Sequence, residues 1–275
     1  MPNYIKNRIE LIGTDEDIAK LKERFSTHIE AYQKTSFDNE LTFTDGNDNY
    51  GWLNEEINVF IRRDEKDVVG VPKGWTPLMH EAWTRFPDFN KIVPMPEELN
   101  ITTGSNGYMG LSIINGESEN RFMDMREQLK RFYEMDSKRR IEIMEAGVVY
   151  AKNIEKYGFK TWYDWSIENW GTKWNASDCE SENNYFEFTT AWSGVPELIE
   201  KMHLELPRVK ILYEFSDEDT GCNCGIGIFE NGTSNFRKLE NSSIEAYELA
   251  FKLRPDSKEY YALVDGKYEY VDEDE

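Results

Sequence analysis

The sequence predicts an α+β protein built as a split β-α-β sandwich with a long helical insertion and a C-terminal helix plus β-hairpin. Three observations predict this class: a strand–helix opening, a strand–helix–strand series after residue 184, and a long helical stretch between them. In such a sandwich, a four-stranded antiparallel sheet carries two helices on one face. We expect the helical insertion and the hairpin to cover the other face.

The first strand and helix are predicted by a change of period. Residues 4–12 alternate between apolar and charged side chains, which indicates a half-buried strand with Ile5, Asn7, Ile9 and Leu11 on its inner face. Gly13 ends the strand, and Thr14 is the expected N-cap of a helix with acidic residues in its first turn. The apolar positions of that helix follow at helical spacing: Ile18, Leu21, Phe25 and Ile29.

Two asparagines near the start are predicted to be structural. Asn7 stands on the apolar side of the strand, and a buried amide needs hydrogen-bond partners. We expect it to bind a nearby loop, with residues 93–98 as the candidate, and we expect Asn3 to be hydrogen-bonded as well.

Glycine and proline divide residues 35–90 into short pieces. Short helices are expected around 53–61 and 76–84, and a strand at 88–93. Residues 97–99 are predicted to form a turn or a short helix. The glycine-rich stretch 104–110 lacks the lysine of a phosphate-binding loop and is interpreted as a loop.

Helical periodicity dominates residues 118–157. One or two consecutive helices fit the pattern, with Gly158 as the C-terminal stop. Two apolar stripes run along it, the second of which consists of Ile141, Met144, Val148, Ala151 and Ile154.

The remaining elements are short and follow one another closely. An aromatic strand at 184–192, a helix at 196–206 and strands at 209–215 and 222–230 are predicted. A short helix capped by Ser242 comes next, with Glu245 completing a capping box. The last element is a hairpin whose strands, 260–264 and 267–271, flank the type I′ turn signal Asp265-Gly266.

The predicted domain organisation is one elaborated domain over residues 1–232, with insertions at about 35–87 and 100–180. Residues 233–275 are expected to form an extension, a helix and a hairpin, packed on the same domain.

Charge is the strongest global signal, with 53 acidic against 32 basic residues and a net charge of −21. Such a protein repels nucleic acid and anionic lipid, because phosphate neutralisation supplies much of the affinity of nucleic-acid binders. The acidic surface serves solubility alone, or it attracts a protein partner with a basic surface. The candidate partner-binding residues are Asp217, Glu218 and Asp219, in an expected turn between strands, together with Glu180 and Glu182.

One basic cluster, Arg121–Arg140, contains seven basic residues with acidic ones interleaved. A solvated helix surface explains it better than a phosphate-binding stripe does. A nucleic-acid binder that uses this helix is therefore the second alternative.

Cysteine use and hydropathy predict a cytoplasmic protein. Three cysteines, Cys179, Cys222 and Cys224, are too few for a disulfide framework. The sequence contains no signal-peptide h-region and no apolar stretch long enough to span a membrane.

No cofactor is predicted, because the sequence has neither the ligand spacing of a zinc site nor a nucleophile with its base. Asp164, Glu168 and Glu97 are a weak alternative set of Mg²⁺ ligands. They correspond to the first alternative function, a metal-assisted enzyme acting on nucleotides.

Residues 162–175 hold four of the eight tryptophans. Thr161 and Gly171 are the expected caps of a short helix. The aromatic side chains spread too widely around this helix for one face, which favours a wedge between layers over a docking anchor or a base-stacking platform. Lys173 is the one basic residue beside them, which disfavours stacking on nucleic acid. Burial is predicted for Trp165, Trp170 and Trp174.

Several motifs resemble one known family. They are Pro2-Asn3-Tyr4, Val93-Pro94-Met95-Pro96-Glu97-Glu98-Leu99, Asn169-Trp170-Gly171-Thr172-Lys173-Trp174-Asn175 and Thr190-Ala191-Trp192-Ser193. Over about residues 1–232 the sequence resembles the Api92-like / YubB ferredoxin-like family, which occurs in phages, plasmids and other bacterial mobile elements. The resemblance implies a ferredoxin-like fold without an iron–sulfur cluster. It assigns no catalytic residue.

Together these observations predict a non-enzymatic, acidic protein-interaction module of a bacterial mobile element or its host; counter-defence, regulatory and housekeeping roles are left open.

Overall fold

A computed structural model describes residues 3–29, 40–47, 49–54, 57–78, 83–118 and 123–271. The chain forms two compact units. One unit combines Met1–Phe25 with Phe86–Glu275, and the other is Ser26–Arg85.

The helices are α1 (Asp15–Phe25), α2 (Phe89–Ile92), α3 (Ser105–Asn115), α4 (Met125–Glu134), α5 (Ser137–Tyr157), α6 (Trp162–Trp170), α7 (Pro196–Glu205) and α8 (Ile244–Leu253), with short 3-10 helices at Glu97–Leu99 and Pro255–Tyr260. The strands are β1 (Tyr4–Ile12), β2 (Thr27–Ile29), β3 (Glu40–Thr44), β4 (Tyr50–Asn54), β5 (Val59–Arg62), β6 (Val68–Val69), β7 (Thr76–Pro77), β8 (Trp83–Arg85), β9 (Ser177–Glu182), β10 (Tyr185–Ala191), β11 (Lys210–Asp217), β12 (Gly225–Glu230), β13 (Thr233–Lys238), β14 (Tyr261–Val264) and β15 (Lys267–Tyr270).

The larger unit is built on a six-stranded sheet of order β13-β12-β11-β1-β10-β9, in which every neighbouring pair is antiparallel. β1 is central and pairs with both β10 and β11. The four strands β11, β1, β10 and β9 have the order of a split β-α-β sandwich, and β12 and β13 extend its β11 edge. The predicted α+β class is confirmed.

One face of this sheet forms the main core. On β1 the buried residues alternate with partly exposed ones, as the sequence predicts. Buried side chains of α1, α6 and α7 join the same cluster, which includes Leu21, Trp170 and Ile199. Each fully buried aliphatic or aromatic side chain of this size contributes roughly 1.5–3 kcal/mol to stability. The insertion therefore packs, through α6, on the same face as α1 and α7.

The opposite face was expected to lie under the insertion and the hairpin, and this expectation is wrong. α8 packs on β11 and β12 through a separate cluster that includes Leu249, Leu253 and Ile226. Lys252 Nζ lies 2.6 Å from Glu214 Oε1 of β11. The hairpin β14–β15 packs its tyrosines on α8, with the Phe251 and Tyr268 rings edge to face and their centroids 5.1 Å apart.

Asn7 is fully buried and hydrogen-bonded, as predicted, but its partners are strands rather than the 93–98 loop. Its Nδ2 donates to Thr190 Oγ1 of β10 at 2.9 Å. The Tyr213 hydroxyl of β11 donates to Asn7 Oδ1 at 2.6 Å and accepts from the Val195 N–H at 2.7 Å. Burial raises the pKa of Tyr213, so the hydroxyl keeps the proton that it donates.

The helical insertion contains one more helix than predicted, since the stretch 104–110 lies largely in α3 and is not a loop. Glycines allow α3 and α5 to pack closely, because a Cβ at Gly147 of α5 would lie 2.3 Å from the Gly110 backbone of α3. The described residues of 118–157 contain two helices, whose N-caps are the side chains of Asp124 and Asp136.

The smaller unit, Ser26–Arg85, is a five-stranded sheet of order β6-β5-β4-β3-β7 with a separate β2–β8 pair. Phe60 is buried between Phe43 and Trp75, at ring-centroid distances of 5.8 and 5.0 Å. The helices expected around 53–61 and 76–84 are wrong, because the described parts of both ranges contain strands. Ile29 belongs to β2 and not to α1.

Four local predictions also need correction. Residues 88–93 form α2 with Asp88 as N-cap instead of a strand. β12 begins only at Gly225, so Cys222 and Cys224 precede it. β13 was not predicted, and the N-cap of α8 is Ser243 instead of Ser242.

Across the residues that the structure describes, no helix combines the length and the apolar character needed to cross a membrane.

Tyr213→Phe tests the buried network. The variant leaves Asn7 Oδ1 and the Val195 N–H without their partner, so we expect a loss of about 1–3 kcal/mol in unfolding free energy, measured by urea denaturation. Tyr133→Phe is the control, because Tyr133 is 67% exposed and its change should stay within about 0.5 kcal/mol. Equal stability of the two variants would contradict the role given to Tyr213.

Candidate functional site

The sheet face on which α8 packs also carries a charged network, outside the area that α8 covers. On β1 and β10, Arg8 stands directly opposite Glu187. Arg8 Nε donates to Glu187 Oε1 at 2.8 Å, and Lys6 Nζ lies 2.7 Å from Glu187 Oε2. Partial burial acts to raise the pKa of Glu187, but the bonds to Lys6 and Arg8 outweigh it and the pKa lies below its ordinary value. Glu187 is therefore a carboxylate at neutral pH.

Two adjoining clefts cross this face and share Glu180 and Glu187 as wall residues. The first has a volume of about 530 Å³, and the second of about 380 Å³. We call the two together the acidic groove. Its acidic side chains are Asp178, Glu180, Glu182, Glu187 and Glu218, and its basic ones are Lys6, Arg8 and Arg254.

The acids of the groove outnumber the bases, and two of the bases are already bound. Lys6 and Arg8 are held by Glu187, as described above. The third, Arg254, donates from Nη2 to the Tyr4 carbonyl at 2.9 Å. Glu180 and Glu218 are exposed and have no hydrogen-bond or ion-pair partner for their carboxylates in the described part of the chain. The groove thus presents free negative charge.

The structure separates the three predicted acids at 217–219. Asp217 is the last residue of β11 and only 5% exposed, so the expected exposed turn is wrong at this position. Its Oδ1 accepts from Asn3 Nδ2 and from the Asp219 N–H, both at 3.1 Å, and its Oδ2 accepts from Asn223 Nδ2 at 3.0 Å. Glu218 and Asp219 are exposed. Asp217 is placed to hold the loop, and Asn3 is hydrogen-bonded as predicted.

The tryptophan segment is a wedge for two of its predicted members. Trp165 and Trp170 are 6% and 7% exposed, and their ring centroids are 5.3 Å apart. Trp170 Nε1 donates to the Val93 carbonyl at 2.9 Å. Thr172 Oγ1 donates to the Ala191 carbonyl of β10 at 2.9 Å. These bonds join α6 to the segment after α2 and to the sheet.

Trp174 is 39% exposed, so its predicted burial is wrong. It follows Gly171, whose left-handed conformation ends α6. One wall of the acidic groove is formed by Trp174. Lys173 Nζ lies 4.3 Å from the ring centroid of Trp174, 5.5 Å from that of Trp192 and 5.8 Å from that of Tyr163.

Trp192 has an unusual backbone conformation, with φ at +72°. Bulky residues rarely adopt a positive φ, and such strain persists only where the surroundings hold it. The Trp192 N–H donates to the Asn3 carbonyl at 2.9 Å, and its carbonyl accepts from Asn223 Nδ2 at 3.0 Å. The side chain, 39% exposed, is thereby fixed beside Lys173.

Residues proposed for other chemistry do not converge. No group of three or more histidine, cysteine or acidic side chains in the described residues is placed to hold a metal ion, so Asp164, Glu168 and Glu97 are not assembled. Burial raises the pKa of Cys222 and brings that of Cys224 to about 12, so both are thiols at neutral pH.

The basic cluster lies on α4 and α5, apart from Arg121, which falls outside the described residues. Internal ion pairs hold part of it: Arg131 Nη2 lies 2.6 Å from Glu127 and Arg139 Nη1 lies 3.1 Å from Glu142.

Sequence reasoning missed several groove residues. Glu187 lies between two inward phenylalanines, and strand alternation alone was a sufficient signal that it points outward with Lys6 and Arg8. Tyr4, Asp178 and Arg254 had no comparable signal, because their meeting depends on tertiary packing.

Residues 169–253 match the family model described as the ferredoxin-like domain in Api92-like protein. The match starts in α6 and ends with the last residue of α8. It confirms the predicted resemblance and the ferredoxin-like fold for the part of the chain that it covers; residues 233–253 belong to the match, although the resemblance was placed at about residues 1–232.

The crystal structure of a protein Api92 from Yersinia pseudotuberculosis is similar at a TM-score of 0.32 and 8% sequence identity, over 87% of this chain and 99% of that one. A similarity at that level carries no argument about function. No curated protein matches the chain.

The wedge can be tested by comparing two tryptophans of one segment. Trp170→Ala empties a buried aromatic site and should lower the unfolding free energy by about 3–5 kcal/mol. Trp174→Ala removes a half-exposed ring and should lower it by clearly less. Guanidinium denaturation of both variants measures the difference, and equal losses would refute the assignment of Trp170 to the core and Trp174 to the surface.

Proposed function

We propose that the protein is a non-enzymatic interaction module that binds a basic, extended segment of a partner protein in the acidic groove. We further propose that it acts in the cytoplasm, in a bacterial mobile element or its host, in a counter-defence or regulatory role. The mobile-element setting is supported by the Api92-like resemblance.

The observation that carries the proposal is the meeting of three residues from distant parts of the chain. Glu180 of edge strand β9, Glu218 after β11 and Trp174 after α6 line the same cleft. Two were candidates for partner binding, and the third belongs to the tryptophan segment. Their convergence supports a binding role for this face.

The electrostatics of the groove favour a basic ligand. Like charges along a concave surface reinforce one another, and a protein of net charge −21 adds a long-range attraction for cations. Such complementarity raises association rates and discriminates against acidic partners. Nucleic acid is disfavoured for the same reason.

Trp174 supports arginine or lysine as the side chain that is recognised. Its ring already binds one cation, Lys173, within the chain. An exposed tryptophan beside carboxylates offers both cation–π and ionic contacts, a combination that is common among residues that dominate binding energy.

The test uses a fluorescent peptide of alternating arginine and glycine, with a glutamate–glycine peptide and a single-stranded oligonucleotide as comparison ligands. We expect the basic peptide to bind and its affinity to fall as salt rises, because the Debye length shrinks from about 10 Å at 0.1 M to about 3 Å at 1 M. The double variant Glu180→Gln/Glu218→Gln should weaken binding about tenfold, measured by fluorescence anisotropy.

The matched control is Glu23→Gln/Glu248→Gln, which removes the same charge from exposed positions on α1 and α8 outside the groove. It should leave the affinity within about twofold of the original. Equal weakening by both double variants would show a nonspecific effect of net charge, and tighter binding of the oligonucleotide would favour the nucleic-acid alternative; either result overturns the proposal.

A further inference from the structure

Helix α5 has two apolar faces, and only one of them is packed. Ile143, Gly147 and Tyr150 are buried, and Gly147 lies in close contact with α3. The second face consists of Ile141, Met144 and Val148, members of the second apolar stripe predicted from the sequence. At about 100° per residue these three side chains share an arc of roughly 60°.

The second face is open to solvent. Ile141 is 57% exposed and Val148 is 41% exposed. With Phe132 of α4, Ile141 and Met144 line a shallow apolar groove of about 420 Å³, with Arg140 and Glu145 also in its wall. An apolar patch bordered by charged residues is typical of a protein–protein contact.

The charge around this patch differs from that of the whole protein. The segment 123–145 contains six acidic and six basic residues, so its net charge is zero, whereas the protein carries −21. Two copies of so acidic a chain repel one another over most of their surface. This segment adds no net charge of its own to that repulsion, and it presents side chains of both signs to a second copy.

We propose that a second copy of this chain docks on this patch, with α5 packed against α5 in a symmetric dimer. A two-fold axis brings the same patch of both copies together, and apolar side chains at this helical spacing interlock as in a short coiled-coil seam. The neutral charge of the segment argues against a strongly basic or strongly acidic partner here. The dimer is independent of the proposed groove function.

Two adjacent valines of α5 provide the test. Val148 and Val149 are 41% and 40% exposed, but one residue turns the side chain by about 100°, so Val149 lies off the stripe. Sedimentation velocity on the full chain should show a concentration-dependent rise from 32.4 kDa toward twice that mass. Val148→Glu should weaken association at least about tenfold, and Val149→Glu should change it by less than about twofold.

Salt gives a second readout, since screening relieves repulsion between two acidic copies and should strengthen the dimer, in the direction opposite to peptide binding in the groove. Ile141→Glu is a second stripe variant, and circular dichroism checks that each variant folds. A chain that remains at 32.4 kDa up to about 1 mM, or equal effects of the two valine variants, would overturn the proposal.

Discussion

The structure depends on one buried chain of hydrogen bonds through Asn7. The Val195 N–H donates to the Tyr213 hydroxyl, which donates to Asn7; Asn7 donates to Thr190, and Thr190 donates to the Ser193 carbonyl at 2.7 Å. A buried amide left without partners would cost about 1–3 kcal/mol, so these bonds favour the one register in which the three central strands meet. The same bonds fix the connection between β10 and α7.

The connection between β10 and α7 links the packed core to the surface. Trp192 lies inside it, at a positive φ that neighbouring hydrogen bonds hold. The Trp192 ring lies near Lys173 Nζ. The same Nζ also lies over the ring of Trp174, which lines the acidic groove. The strained residue therefore connects the packed sheet with the candidate site, and its strain is supported by the same loop that Asn7 anchors.

Elements that depend on local periodicity or turn chemistry could be predicted from the sequence. Features that depend on tertiary packing could not. Strand alternation identified β1, and turn chemistry identified the C-terminal hairpin. The helices and the strand predicted within residues 35–90 are wrong, because strands of two to five residues interrupted by glycine and proline show no clear period in the sequence. The exposure of Trp174 and the burial of Asp217 depend on how the chain leaves α6 and β11. The convergence of Glu180 and Glu218 is likewise tertiary.

Residues of the motif that carries the family resemblance make contacts that stabilise the fold. Trp170 and Thr172 bind backbone carbonyls of two other segments, and Asn175 accepts from the Phe89 N–H at 2.9 Å. Such contacts position the sheet and its neighbours, whichever side chains point outward. On β1 and β10 the pleat sends alternate residues to the opposite face, so that a core residue such as Phe188 is followed by an outward one. These core contacts therefore determine the position of the outward-facing surface. The side chains on that surface would determine which partner it binds.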